Sequence, residues 1–186
     1  SHFVRALDDV ELARQCDEYG MAGVMIKSHY DSTAARTILG NRYGGAKATL
    51  YGGVALNRPV GGLNRYAAEC TLKLGGKIIW LPTRDAENCL KKGPKPNDFF
   101  DRPSIQVLDQ EGKPVPEIYE IFAVVKKYGA YLATGHISPA ESLVICREGN
   151  ACGVRMILTH PDWKQTKVPL KDQVALAQNG VMIEKV

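Results

Sequence analysis

One phrase recurs along this chain and limits what it can fold into: a helical stretch closed by glycine, then a short apolar run, then polar residues. It first reads as a helix over residues 8–19, Gly20, and a strand over residues 22–29. A helix from about residue 32 to 39 leads to a strand over 49–57, and one from about 64 to 74 leads through Gly75-Gly76 to a strand over 77–83. Residues 116–128, Gly129 and 130–136 repeat the phrase, as do 138–151, Gly153 and 154–160. A helix over 171–178, Gly180 and a strand over 181–186 complete the series. Glycine ends a helix in the left-handed region without a Cβ penalty. Near-continuous apolar strands suit a parallel sheet buried on both faces. Ser138-Pro139-Ala140-Glu141 reads as a capping box with proline at the first helical position, which fixes a strand-to-helix boundary just after His136.

Strands alternating with helices imply parallel strands joined by right-handed crossovers. The phosphate loop G-x-G-x-x-G that announces many open sheets is absent. The pattern therefore predicts an α/β fold, a (β/α) barrel of the TIM type, in a single domain over residues 1–186. An eight-stranded barrel usually takes about 250 residues, and this chain has 186. The expectation is a distorted, incomplete barrel, with the first strand missing before Leu7 and a C-terminal unit missing after Val186. Residues 91–116 break the rhythm and read as an insertion, with a short strand over 104–108 and a turn over 109–112, placed to act as a lid.

Barrel enzymes work at the carboxyl ends of their strands. Of the four histidines, His2 is terminal, and His29, His136 and His160 each close an expected strand. Side chains two apart on a strand share a face. Lys27 with His29, Thr134 with His136, Leu158 with His160 and Met182 with Glu184 are such pairs. If those faces look into the barrel mouth, His29, His136, His160 and Glu184 converge as ligands for one to three divalent ions, Zn, Mn or Fe. A metal there would acidify a water and polarise a scissile group. Lys27 has three readings: an ion pair, a carbamylated metal bridge, or a Schiff-base amine. Asp162 and Asp85, just past strand ends, are candidate general bases. Arg58 and Arg84 are candidate clamps for an anionic substrate.

The function expected is hydrolysis of an amide, lactone or phosphoester by metal-activated water. The alternatives are a Schiff-base lyase or aldolase using Lys27, and a non-catalytic binding or assembly protein on the same scaffold. Composition narrows the partners: at 45% hydrophobic and 24% charged the chain is ordinary for a globular protein. No apolar run approaches the roughly 18–20 residues of a membrane span. The net charge of +4 is interspersed, and Lys91, Lys92 and Lys95 read as a solvated loop rather than a nucleic-acid patch. The five cysteines form no C-x-x-C pair, which points to reduced thiols and a cytoplasmic location. A small-molecule substrate is expected, with neither nucleic acid nor membrane, and a homo-oligomer is open.

The residues also carry a resemblance. Asp8-Asp9-Val10-Glu11-Leu12-Ala13 through Gly23-Val24-Met25-Ile26-Lys27-Ser28-His29, Gly52-Gly53-Val54-Ala55-Leu56-Asn57, Val60-Gly61-Gly62-Leu63-Asn64, Trp80-Leu81-Pro82-Thr83, Thr134-Gly135-His136-Ile137-Ser138-Pro139 and Thr159-His160-Pro161 form the set. Together they resemble a largely uncharacterised prokaryotic family of metal-dependent, amidohydrolase-like barrel proteins, similar in style to the polymerase-and-histidinol-phosphatase (PHP) hydrolases. The resemblance implies a distorted barrel with one to three divalent metals. It carries a metal role onto His29, His136 and His160, and less directly onto Glu184 and Lys27. It also implies a first strand ending in His-x-His, which has no counterpart here.

Overall fold

The computed structural model describes residues 5–91 and 101–185. Among the described residues, seven short strands are interspersed with helices, and every pairing among those strands is parallel. The strands are β1 (Gly23–Met25), β2 (Thr49–Tyr51), β3 (Gly53–Ala55), β4 (Ile78–Trp80), β5 (Tyr131–Ala133), β6 (Arg155–Thr159) and β7 (Met182–Glu184). β1 pairs with β2, and β3 through β7 pair in chain order as a second sheet. The molecule is thus a mixed α/β fold built on parallel sheets.

The helices are α1 (Asp9–Glu18), α2 (Ala34–Tyr43), α3 (Arg65–Lys73), α4 (Glu87–Leu90), α5 (Pro116–Lys127), α6 (Pro139–Ala151) and α7 (Leu170–Gln178). All but the single turn of α4 answer to a stretch expected from the sequence. Their ends follow local chemistry. Asp8 caps α1 and Ser138 caps α6, each in a reciprocal box with the glutamate three residues on. Among the described residues, no helix is long and apolar enough to cross a membrane.

The strands alternate between two apolar layers. Val54, Ile79, Leu132, Met156 and Leu158 pack with Ile118, Ile121 and Phe122 of α5, Ile145 of α6 and Leu176 of α7 in the main core. Ala55, Trp80, Ala133 and Ile157 form a smaller cluster on the opposite face, joined by Met25, Ile78 and Tyr131. Residues on one face are two apart, as the pleat requires.

The strand expected over residues 49–57 is interrupted at Gly52, and the cause is a buried threonine. Thr33 Oγ1 donates to the Ile26 carbonyl (2.8 Å) and accepts from Gly53 N (2.9 Å), standing where a ladder bond would run. A Cβ on Gly52 would lie 2.7 Å from Ala34 Cα, so the N-terminus of α2 reaches the strand only because residue 52 is glycine. In the stretch expected to be an insertion, residues 92–100, including Lys92 and Lys95, lie outside the described residues, as does His2. Its described part is anchored: Ile105 bridges Ala86 in parallel, and Leu108 bridges Pro114 around a tight turn. It forms isolated bridges rather than the short strand expected over 104–108.

Candidate functional site

Past the carboxyl ends of the strands, Lys27, His29, Arg84, Cys89, His136, His160, Trp163 and Glu184 line one cavity of about 520 Å³. His136 lies between the other two histidines. Its ring centroid is 5.9 Å from that of His29 and 5.7 Å from that of His160. Trp163 meets it edge-on at 5.1 Å.

The route by which these side chains meet differs from the period-two expectation. Leu132 and Leu158 face the helices, so continued strand geometry would send His136 and His160 the same way. Neither residue continues its strand. Gly135 at φ 64° and His160 at φ 48° both turn left-handed immediately beyond β5 and β6. These turns redirect the chain where the two imidazoles enter the cavity. A left-handed histidine carries strain, which is common at functional positions. His160 is held there by its own backbone: its N–H donates to the Glu184 carbonyl (3.1 Å), and its carbonyl accepts from Thr166 Oγ1 (2.6 Å). Lys27 and Glu184 do follow the alternation, on the face of Met25 and opposite Ile183. His29 stands four residues past β1 rather than at its end.

Each imidazole has a different environment. His29 Nδ1 lies 2.8 Å from Thr83 Oγ1, which also accepts from Asn57 Nδ2 at 2.7 Å. Asn57 Nδ2 reaches the His29 carbonyl (2.8 Å), and Asn57 Oδ1 accepts from the N–H groups of Thr83 and Asp85. Asn57 and Thr83 are fully buried, so this network sets the orientation of the His29 ring. His160 Nε2 lies 3.7 Å from Glu184 Oε1, an ion-pair distance rather than a hydrogen bond. His136 is only 8% exposed, yet neither ring nitrogen has a hydrogen-bond partner among the described residues. Glu184 Oε2 is likewise buried and unpartnered.

Burial pushes the His136 imidazole well below its ordinary range, and the positive charges of Lys27, His29, His160 and Arg84 add to the effect. Burial also lowers Lys27, against the opposing pull of Glu184. For Glu184, burial acts upward, but His160 and Lys27 outweigh it and hold the carboxyl below its usual range.

A buried imidazole without partners costs free energy unless something else engages it. Two imidazoles sharing one tetrahedral zinc, with bonds of about 2.0–2.1 Å, have ring centroids roughly 5 Å apart. The observed spacings of 5.7 and 5.9 Å are slightly wider. Among the described residues, no set of three or more His, Cys, Asp or Glu side chains already stands at metal-shell spacing. Three nitrogen donors and a carboxylate around one cavity nevertheless suit a borderline divalent ion after a small inward adjustment.

The remaining expected site residues divide. Arg84 lines the cavity. Arg58 does not: its guanidinium holds the carbonyls of Pro103 (3.2 Å) and Ser104 (2.9 Å), tying down the segment before α5. Asp162 also points elsewhere, to Lys185 Nζ (2.6 Å) and Gln173 Nε2 (3.0 Å). Asp85 is consumed by Arg102 Nε (2.6 Å) and Arg58 N–H (2.7 Å). Cys89 and Trp163 line the cavity although nothing in the sequence marks them, and Asn57 and Thr83, which orient His29, carry no site role in the sequence reading.

A family of unknown function (DUF6282) matches residues 1–184, and the chain belongs to it. No curated protein matches the sequence.

Proposed function

We propose that this member of a family without an assigned activity is a metal-dependent hydrolase acting on an amide, lactone or phosphoester in the rim cavity. The observation that carries this reading is the buried His136 imidazole, unpartnered between two further imidazoles. His29, His136 and His160 would supply nitrogen donors, and Glu184 an oxygen donor, to zinc, manganese or iron. When bound, the ion would acidify a water and polarise the scissile group. The chain's own part is orientation and exclusion. Thr83 and Asn57 fix the His29 ring through Nδ1, so that Nε2 would be the nitrogen it offers to the ion. Glu184 restrains His160, and Trp163 walls the cavity beside His136. The proposal extends to a mechanism of the amidohydrolase-like and PHP kind, and to a TIM-type barrel. Parallel strands in chain order, with helices on one face and a second apolar cluster on the other, support the barrel. The free cysteines support a reducing, cytoplasmic setting.

Metal analysis of the purified protein, with a panel of ester, amide, lactone and phosphoester substrates, tests the proposal. His136→Ala should lower metal content and turnover together while far-ultraviolet circular dichroism stays unchanged. A folded variant with full metal and full turnover would sink it, as would a wild-type protein that retains no transition metal.

A second reading, imine formation by Lys27, draws on the same cavity. A desolvated amine with a lowered pKa is a better nucleophile at neutral pH. Borohydride trapping with a carbonyl compound should then add mass at Lys27.

A further inference from the structure

We propose that Asn88 is a positioning residue of the rim cavity, setting the His136 imidazole against Trp163 through the backbones that carry them. The inference rests on the hydrolase reading, which takes His136 as a ligand of the ion, and adds the residue that holds that ligand in place. The His136 ring is buried, with no hydrogen-bond partner on either nitrogen among the described residues. It therefore lacks the kind of side-chain tether that fixes His29, and its direction depends on its backbone and on packing. That backbone is gripped twice by the loop beyond β4. The His136 N–H donates to the Pro82 carbonyl (3.0 Å), and the His136 carbonyl accepts from Asn88 Nδ2 (3.2 Å). The same amide nitrogen donates to the Gln165 carbonyl (2.9 Å) and reaches that of Ile137 (3.4 Å). Gln165 lies on the loop past β6 that also carries Trp163, whose ring meets His136 at 5.1 Å. One amide thus ties the loop of the imidazole to the loop of the indole. Three converging carbonyls call for a donor, and a side-chain amide supplies two N–H groups on one nitrogen. Asn88 is in turn held by its own segment. Ile105 N donates to the Asp85 carbonyl (2.8 Å) and Glu87 N to the Ile105 carbonyl (3.3 Å), which anchors α4 on the side away from the histidines. Outer partners of this kind orient a ligand before the ion arrives.

The test compares Asn88→Asp, Asn88→Ala and Gly180→Ala in the full chain, the last being a remote change expected to cost stability only. Asn88→Asp keeps the shape but turns an acceptor toward three carbonyls, and Asn88→Ala removes the donor without adding charge. In chelator-treated protein, NMR spectroscopy follows the ring C–H resonances of His136 and the indole N–H resonance of Trp163. Zinc affinity is then measured by competition with a chelator of known strength. Both Asn88 variants should shift the two sets of resonances and weaken zinc about tenfold or more, and Gly180→Ala should do neither. Resonances that stay in place in the Asn88 variants overturn the proposal, as do shifts that Gly180→Ala reproduces. Unchanged zinc affinity in those variants, where the wild type binds zinc, overturns it too. Should Asn88→Asp fail to fold, Asn88→Ala decides on the same readouts. Failure of both to fold overturns the proposal by making Asn88 a residue of the fold alone. If the wild type binds no zinc but the resonances move, the hydrolase reading fails and the placement of His136 by Asn88 stands.

Discussion

Glycines with a left-handed backbone stand at both ends of the parallel strands, and the two ends use them differently. Gly180, where α7 hands over to β7, has φ 85° and nothing within 4 Å of the place a Cβ would occupy. Gly135, just past β5, has φ 64°, and a Cβ there would run into the Leu81 carbonyl oxygen and come within 2.7 Å of that of Pro82. The first glycine solves a local problem, the reversal of a helix end. The second also solves a packing problem, because neighbouring backbone closes over it while the chain turns toward the cavity. The same contrast extends to polar groups. Asn57, Thr83, Asp85 and His136 are buried at the cavity end. Gly20, Gly75 and Gly129 at the opposite end meet only open space. The rim is therefore where this fold commits packing and buried polar groups to aiming side chains.

The largest effect expected from this difference is that of Gly135→Ala. Left-handed strain and a backbone clash should together cost about 3 kcal/mol or more, against about 1 kcal/mol for Gly180→Ala. Urea unfolding of both variants measures the gap, and equal losses would break the comparison.

Asn57→Ala should come next. It removes hydrogen bonds to His29, Thr83 and Asp85, and buried groups left unpaired cost about 2–3 kcal/mol. If Asn57 orients a metal ligand, metal affinity should also fall about tenfold or more. A stability loss with unchanged metal affinity would reduce the network to a structural one.

Acid should discriminate between the ends as well. In metal-free protein His136 is held neutral, its pKa lowered first by burial. As pH falls below the ordinary imidazole value of 6.5, the unfolded chain takes up a proton that the folded chain refuses. Stability is thus complete above that pH and declines on acidification, with a slope approaching about 1.4 kcal/mol per pH unit, until the folded imidazole also titrates. Denaturation at stepped pH with a chelator present measures the slope, and His136→Gln should flatten it. An unchanged slope in that variant would assign the acid sensitivity to other groups.

The smallest effect expected is that of Ser138→Ala, which deletes the α6 cap at the rim. Because the cap is a local device even here, the cost should be about 1 kcal/mol, comparable to Gly180→Ala. A cost as large as that of Gly135→Ala would mean that the cap is coupled to the His136 turn.

The helix–glycine–strand phrase was legible because each of its signals is local. Glycine after α1, a capping box before α6 and apolar runs between them need no knowledge of distant residues. The split at Gly52 was not legible, since it depends on Thr33 reaching across from the start of α2. The gathering of His29, His136 and His160 in one cavity was expected from the parallel strands, but the period-two reason for it held for Lys27 and Glu184 and not for His136 and His160. Nothing in the spacing announces that Gly135 and His160 will reverse their backbones at that point.

Sequence alone determined the order of elements, the parallel sense of the sheets and the end of the fold at which the histidines would stand, because turn chemistry and hydrophobic periodicity act over a few residues. Only the tertiary structure decided which rim residues share the cavity. Arg58, Asp85 and Asp162 have the chemistry of site residues, but each is occupied: Arg58 by the carbonyls of Pro103 and Ser104, Asp85 by Arg102, and Asp162 by Lys185. Cys89 and Trp163 carry no such signal and still line the cavity. The physical reason is the range of the interactions. A cap or a turn is complete within its own segment, whereas a side chain at a strand end is claimed by whichever neighbour, distant in sequence, comes within hydrogen-bonding reach.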